Sequence, residues 1–523
     1  MYSDIKLNIA RLVDTGSTDY LQASLVGIEK ESLRVSMEGK IAQTRHPLNL
    51  GSALTNQYIT TDYSEALTEF ITPPMTSIGK ALCFLEDLHI FVYQRLEGEK
   101  FWATSMPCVV MGESRIPVAE YGKSNLGKMK TVYRNGLGYR YGKTMQTIAG
   151  VHFNYSYADK FWSCLYESGD KSVELQEFIN EQYFSLIRNL LRTGWIVPYL
   201  FGASPAVCRS FFENIKTNLK TFDENTYFEP YATSLRMSDI GYHNKKENEN
   251  GIQVCYDSLD EYIANLKYAI ETPCPEYEKI GVKVNGKYRQ LNANILQIEN
   301  EYYSTVRPKQ IVAPNEKPVN ALKERGVKYI ELRSLDVNAF DPLGINEVQL
   351  HFLEAMMLFC LLTDSPDISA MERRDIDYNE MLVALKGRQP GLKIKYKGKD
   401  IKLGDWAKNL FSAMVPICEL LDSVNNTDKY SRAHGVLYRS VEDSGNTPSA
   451  KMLAEMKEKQ EAFHFFAKRM SIQHGSYFKQ KTLDANSRKM FEEHVSESLI
   501  RQKQIESSDE ISFDVFMENY YRN

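Results

Sequence analysis

Apolar and polar positions alternate with a two-residue period in five stretches of the chain's first two-thirds: residues Gly27–Val35, Leu67–Thr72, Gly150–Ser156, Asn294–Tyr303 and Lys328–Leu335. Each is rich in Ile, Val, Phe, Tyr and Thr. That period sends successive side chains to opposite faces, so each stretch predicts a half-buried β-strand. A helical period replaces it over Ile78–Arg95, Leu175–Leu191 and Asn346–Leu362. The intervals between strands are long and lack regular β-α-β alternation. The pattern favours an α+β fold, a mainly antiparallel sheet with helices on one side.

After Asp364 the pattern turns helical. Trp406, Leu410, Phe411, Met414, Ile417, Cys418 and Leu421 recur at helical spacing, with Asp405 as the expected N-cap. Thr447-Pro448 signals a second helix, a cap followed by proline at the first helical position, with a stripe of Met452, Met456, Phe463, Phe466 and Met470. From Asp484 the chain is highly charged and reads as a solvated helix and tail. Residues 1–523 are expected to form one unit: a catalytic sheet with its helices over 1–365 and a helical supporting region over 366–523.

Composition narrows the function classes. The 523 residues would allow about three domains at ~150 residues each, or one large enzyme unit. Sixty-three basic against 68 acidic residues leave a net charge of −5, which argues against a nucleic-acid binder or a polybasic membrane anchor. The longest apolar run, Ala355–Leu362, is too short to span a bilayer, and residues 1–20 lack the apolar core of a signal peptide. The eight cysteines form no C-x-x-C pair and are expected to be free thiols of a cytoplasmic enzyme.

The informative chemistry is a set of acids inside apolar strand patterns. Glu29 and Glu31 are two apart and share one strand face; Glu69 sits between Leu67 and Ile71; Glu331 and Arg333 share the face opposite Ile330 and Leu332. Taken singly, each is better explained as a solvated edge. Together they describe a sheet with a polar, concave side, where bare charges would cost several kcal/mol each unless a cation or substrate met them. Oxygen ligands point to Mg²⁺ or Mn²⁺. His152 and Asn154 join that cavity if their strand belongs to the same sheet. No H-x-x-x-H or H-E-x-x-H spacing supports a zinc hydrolase.

Residues Tyr121–Gln146 are glycine-rich and carry Lys123, Lys128, Lys130, Arg134, Arg140 and Lys143 without an acid, as a mobile basic loop over phosphates would. Gly142-Lys143-Thr144 is not a P-loop, because Leu137 stands where the first glycine is required. Arg236 is a candidate fork for a substrate carboxylate. Gln297, Glu299, Glu301 and Tyr303 form an alternate polar set, followed by Arg307 and Lys309.

Gly27–Val35 resembles the opening strand of the proteobacterial type of glutamate–cysteine ligase. So do His46-Pro47, Gly51–Thr55 and Ile59–Pro73; Ser105–Cys108, Tyr121–Asn125 and Met145–Asn154; Val197–Pro205, Tyr231–Tyr242, Leu296–Lys309 and Tyr329–Asp336. The likeness is dense over residues 25–365 and thins beyond. It implies a glutamine synthetase-like cup of antiparallel strands backed by helices. It also implies an ATP-dependent carboxylate–amine ligase that couples the γ-carboxylate of L-glutamate to the amine of L-cysteine through γ-glutamyl phosphate, the first step of glutathione biosynthesis. By matching position, Glu29, Glu31, Asp62, Glu69, His152 and Glu331 would hold Mg²⁺ (or Mn²⁺) around the phosphates of ATP, the co-substrate. Glu29 and Glu331 would also be essential to turnover. Arg134 would stabilise the transferred phosphoryl group, Gln146 and Arg236 would orient glutamate, and Tyr133, Leu137, Tyr242, Tyr303 and Arg333 would form the cysteine pocket. Glutathione is implied as feedback inhibitor, and a monomer is expected. The helical pattern after Asp364 leaves no ATP-grasp domain of the bifunctional relatives to expect. Two other readings stay open here: a related ligase with a different amine acceptor, and a non-catalytic glutathione or amino-acid sensor, against which the full set of six metal-ligand candidates argues.

Overall fold

Glu29 and Glu31 lie on a twelve-residue strand, β1 (Leu25–Ser36), in the middle of an antiparallel sheet. The computed structural model describes every residue except 3, 170, 214–215, 242–251, 314–315 and 523. Six further strands complete the sheet: β2 (Ile59–Thr61), β3 (Leu67–Ile71), β4 (Glu99–Phe101), β5 (Gly150–Ser156), β6 (Val306–Lys309) and β7 (Tyr329–Asp336). Their order is β6-β7-β5-β1-β3-β2, with β4 paired to the end of β1.

The rear of the sheet carries Ile28, Phe70, Val151, Phe153, Ile330 and Leu332, all buried. They face a helical layer built from α1 (Ile78–Tyr93), α2 (Asn125–Tyr141) lying apart at the cup's rim, α3 (Leu175–Thr193) and α4 (Glu347–Leu362). Helix α1 starts where Ser77 accepts the Lys80 N–H. Helix α4 starts at a capping box formed by Asn346 and Gln349. Apolar on nearly every side, α4 lies at the centre of the layer, against α1, α3, α6 (Leu403–Asn425) and α7 (Lys429–Glu442), α5 being Ala370–Lys386. Lys30 points rearward as well: its Nζ meets His89 Nε2 at 2.8 Å, and burial pulls the lysine down to about 7. No helix among the described residues is long and apolar enough to cross a membrane.

Four of the five expected strands form. The fifth, over Asn294–Tyr303, does not: it is irregular apart from one turn of 3₁₀-helix, Glu299–Glu301. The expected mobile basic loop is instead helix α2, capped by Ser124 accepting from Gly127 N–H. Asp405 lies in the first turn of α6, which begins at Leu403, and is not its cap. The stripe from Met452 to Met470 belongs to two helices, α8 (Pro448–Glu458) and α9 (Phe463–Gln480), separated at Gln460, whose φ is +52°. Thr447 does cap α8, accepting from Ala450 N–H. The charged end, expected as a solvated helix and tail, forms the helix, but the rest is helical too. It folds as α10 (Ala485–Ser507) and α11 (Phe513–Arg522), with Phe491 and Met517 buried. Finally, Cys108 and Cys208 form a disulfide with Cα atoms 5.3 Å apart, correcting the expectation that all eight cysteines are free. Their separation of 100 residues hid a pairing that the fold creates by laying two segments side by side.

Candidate active site

Strand register assembles the acids. Glu29 pairs with His152 on one side and Ile71 on the other, Glu31 pairs with Glu69, and Glu331 pairs with Asn154. The side chains therefore form adjacent rows on the open face of β3, β1, β5 and β7. His152 is their hub: Nδ1 lies 3.2 Å from Glu29 Oε2 and 3.4 Å from Glu331 Oε1, and Nε2 lies 3.8 Å from Glu31 Oε1. Asn154 Nδ2 donates to Glu29 Oε1 at 2.9 Å, and Gly150 N–H donates to Glu31 Oε2 at 2.6 Å. Ligand atoms of Glu29, His152 and Glu331 all fall within 4.8 Å of one another.

A cationic rim surrounds this patch. The register between β7 and β5 shifts by one residue between Leu332 and Leu335, beside Arg333. Arg333 Nη1 donates to Glu331 Oε1 at 2.8 Å, and Lys309 Nζ lies 3.4 Å from Glu331 Oε2. From the opposite wall, Arg134 of α2 donates to the carbonyls of Asp62 and Lys130 and stacks on Tyr121, 4.6 Å from the ring centre. Arg236, on the turn Leu235–Met237, donates through Nη2 to the Arg333 carbonyl at 2.8 Å. Tyr303 Oη meets Met237 Sδ at 3.3 Å.

The acids respond to this setting differently. Burial alone would raise all of them. Glu331 is nevertheless held well below the usual range by Arg333 and Lys309, and Glu29 is held low by the His152 ring. For Glu31 and Glu69 the raising influences win: burial and Asp62 raise Glu31 despite His152, Arg236 and Arg333, and burial with Glu29, Asp62 and Glu31 pushes Glu69 to about 8. His152 is opposed by burial and Arg333, yet Glu29 and Glu331 raise it to about 9. The patch thus sets ionised Glu29 and Glu331 against His152, Arg333 and Lys309, while Glu31 and Glu69 are pushed toward the neutral form.

Thirteen residues expected at the site line one cavity of about 290 Å³: Glu29, Glu31, Asp62 and Glu69; Tyr133, Arg134, Leu137, Gln146 and His152; Arg236, Tyr303, Glu331 and Arg333. Tyr242 lies outside the described residues. The cavity also holds Tyr63, Tyr141, Met145, Asn300, Glu301, Arg307 and Lys309. Of these, Arg307 and Lys309 had a signal in the sequence, two bases two apart on an edge strand. The aromatic and amide residues had none, because their places depend on how α2 and the 290–303 segment pack.

Two partially neutralised carboxylate rows under basic walls suit a reaction in which anions are brought together and phosphorylated. The described fold resembles a glutamate–cysteine ligase from Francisella tularensis in complex with AMP, with a TM-score of 0.89, 36% identity, and coverage of 95% of this chain and 97% of that one. Fold and site together define an ATP-dependent ligase. Residues 9–383 match the family model described as glutamate-cysteine ligase. A glutamate–cysteine ligase of Alcanivorax borkumensis is 45% identical over 503 residues, 95% of each chain, and one of Pseudomonas paraeruginosa is 44% identical over 512 residues, 98% of this chain and 97% of its own. The chain belongs to the glutamate–cysteine ligase family.

Proposed function

We infer that this chain joins the γ-carboxylate of L-glutamate to the amine of L-cysteine with consumption of ATP, the first step of glutathione synthesis. The observation that carries the residue assignments is the convergence of both carboxylate rows and the Arg134, Arg236 and Arg333 walls on one cavity. In the first half-reaction a γ-carboxylate oxygen attacks the γ-phosphorus of ATP, giving γ-glutamyl phosphate and ADP. In the second the cysteine amine attacks the acyl carbon, the C–O bond to phosphate breaks, and the nitrogen loses a proton.

The residues fit a hard divalent cation. The donor set is five carboxylates and one imidazole without a thiolate, and buried Glu331 Oε2 accepts no hydrogen bond among the described residues. Glu29, Glu31, Asp62, Glu69, His152 and Glu331 would hold Mg²⁺ or Mn²⁺, whose charge reduces the repulsion between a carboxylate and a triphosphate. Arg134, fixed by two carbonyls and a ring, presents its guanidinium to the transferred phosphoryl group. Gln146 and Arg236 orient glutamate. Arg333, with Tyr133, Leu137 and Tyr303, receives cysteine, its planar fork matching the cysteine carboxylate. Tyr242 is assigned there on resemblance alone.

Glutathione contains both the γ-glutamyl and the cysteinyl groups of the product, which supports it as a competing occupant of the same cavity. We place the chain in the cytoplasm, where ATP and both amino acids are available, and take it to act as a monomer. Cysteine-dependent ADP formation from ATP and glutamate, with and without divalent metal, tests the reading. Formation that is as fast with alanine as with cysteine overturns the acceptor assignment, and metal-independent formation overturns the carboxylate cluster's role.

A further inference from the structure

Helices α10 and α11 cross the rim of the cup as a strap. Helix α10 first meets the turn at residues 51–56, where Ser498 Oγ accepts the Ser52 N–H at 3.0 Å and the Ser498 carbonyl accepts Thr55 Oγ1 at 2.6 Å. It then reaches the start of α2. Glu506 accepts the Lys123 N–H at 2.8 Å, Asp509 accepts the Asn125 N–H, and the Ile511 carbonyl accepts Asn125 Nδ2 at 2.9 Å. Two carboxylates thus sit on N–H groups at a helix N-terminus, where the macrodipole favours them. Helix α11 continues alongside. Met517 is buried with Met129 and Val132 of α2 and with Leu291 across from them. Asp514 pairs with Lys283 at 3.0 Å and accepts from Tyr288.

The strap ends on Gln297, which packs behind the cavity wall. Tyr521 Oη donates to the Gln297 carbonyl at 3.1 Å and accepts from Asn292 Nδ2 at 2.8 Å. Gln297 is fully buried, and its Nε2 donates to the Tyr133 carbonyl at 3.3 Å and to Glu301 Oε2 at 3.0 Å. Its Oε1 occupies the space left by Gly136, whose β-carbon would lie only 2.1 Å away. Tyr133, Gly136 and Leu137 share one face of α2. Tyr133 and Leu137 are also the side chains that α2 gives to the cysteine pocket. Arg134 is anchored separately, on Asp62 and Tyr121.

We propose that the C-terminal strap is a positioning element for the amine substrate: Met517 and Tyr521 fix the spacing between α2 and the 290–303 segment, and so the shape of the pocket that receives cysteine. Neither residue touches substrate: Tyr521 acts through Gln297 and Tyr133, and Met517 through Met129 and Val132 of α2 and Leu291. The proposal rests on the cysteine-pocket assignment above.

Full-length variants test it. Tyr521→Phe removes one hydroxyl and its two hydrogen bonds, and raises the KM for cysteine about fivefold. Met517→Ala opens a hole against α2 and raises it about tenfold, while Met517→Leu, of similar volume, stays within about twofold of wild type. The KM values for ATP and glutamate stay within about twofold throughout, a split that general loss of folded enzyme would not produce. Unchanged cysteine KM in both Tyr521→Phe and Met517→Ala overturns the proposal, as does an equal rise for all three substrates. Arg333→Lys, measured alongside, separates the two readings. If it raises the cysteine KM while the strap variants do not, the strap is not a positioning element; if it leaves cysteine KM unchanged, the pocket assignment itself fails.

Discussion

Arg333 and Glu331 stand two residues apart on one strand and are joined by a 2.8 Å hydrogen bond from Nη1 to Oε1. The bond ties the proposed cysteine pocket to the carboxylate rows. It uses one edge of the guanidinium only, and buried Arg333 Nε donates to nothing among the described residues. An arginine left with an unmet donor beside a cavity is set up for an incoming carboxylate. Arg333→Lys keeps the charge and the Glu331 contact but loses the planar fork. The cysteine KM is expected to rise about tenfold, the worth of one charge-assisted hydrogen bond, with a smaller change for ATP. Steady-state kinetics with each substrate varied in turn check it; equal effects on both would place Arg333 elsewhere.

Glu29 and Glu331 both touch His152, and both are held ionised by their neighbours. Glu29→Gln or Glu331→Gln removes one negative charge with almost no change of shape. Loss of partners one layer out from a metal typically costs 10–100-fold, so loss of a ligand should cost at least about a hundredfold in turnover. The melting temperature is expected to fall, since each acid's lowered pKa reports net stabilisation by its cations, while circular dichroism should show the fold retained. Turnover close to wild type in either purified variant refutes the shared cluster.

Gly150 lets Arg236 approach the sheet. A β-carbon there would lie 2.2 Å from Arg236 Nη2, and the same residue's N–H holds Glu31. Gly150→Ala therefore pushes the guanidinium out of place without touching its charge. Displacements near 1 Å in a catalytic site can cost about a hundredfold. The expected result is a rise in glutamate KM larger than that for cysteine, with folding retained by circular dichroism. A normal glutamate KM would show that Arg236 does not orient glutamate.

The acid-bearing strands were legible because a buried strand imposes a strict two-residue period, and Glu29, Glu31, Glu69, Glu331 and Arg333 interrupt apolar runs in phase with it. Alternation also misled: Gln297, Glu299, Glu301 and Tyr303 keep the period, but Glu301 is polar because it is buried against Arg140 at 2.8 Å, not because it lines a strand. Helix α2 was hidden by its glycines. Gly127 and Gly136 look like loop residues, yet each marks close packing, a β-carbon at Gly127 falling 2.3 Å from the Tyr121 carbonyl. Glu506 of α10 and Asp509 just beyond it gave no sign of their docking, because their partners, backbone N–H groups at residues 123 and 125, carry no signature in side-chain sequence. Local pattern reports local geometry; the strap, the Cys108–Cys208 pair and the packing of α2 on Gln297 depend on segments a hundred or more residues apart.

Behind the sheet, Glu354 of α4 is buried with only phenols for company. Tyr430 donates to its Oε2 at 2.8 Å, Tyr155 of β5 is the other partner, and burial pushes the carboxyl to about 7. Below about pH 4.5 the acid is protonated in both folded and unfolded chains and has no effect on the balance between them. As pH rises toward 7 the unfolded chain releases its proton and the folded one keeps it, so stability declines; above 7 the loss is complete and flat. The full span is about 3 kcal/mol, from a rise of about two and a half pKa units. Glu354→Gln keeps an oxygen for Tyr430 and cannot ionise. The variant's gain in melting temperature over wild type is therefore expected to be small at pH 5, to grow up to about pH 7 and to level off by pH 8. Thermal melts of both proteins across that range measure it, and a difference independent of pH would mean that Glu354 is already ionised in the folded enzyme.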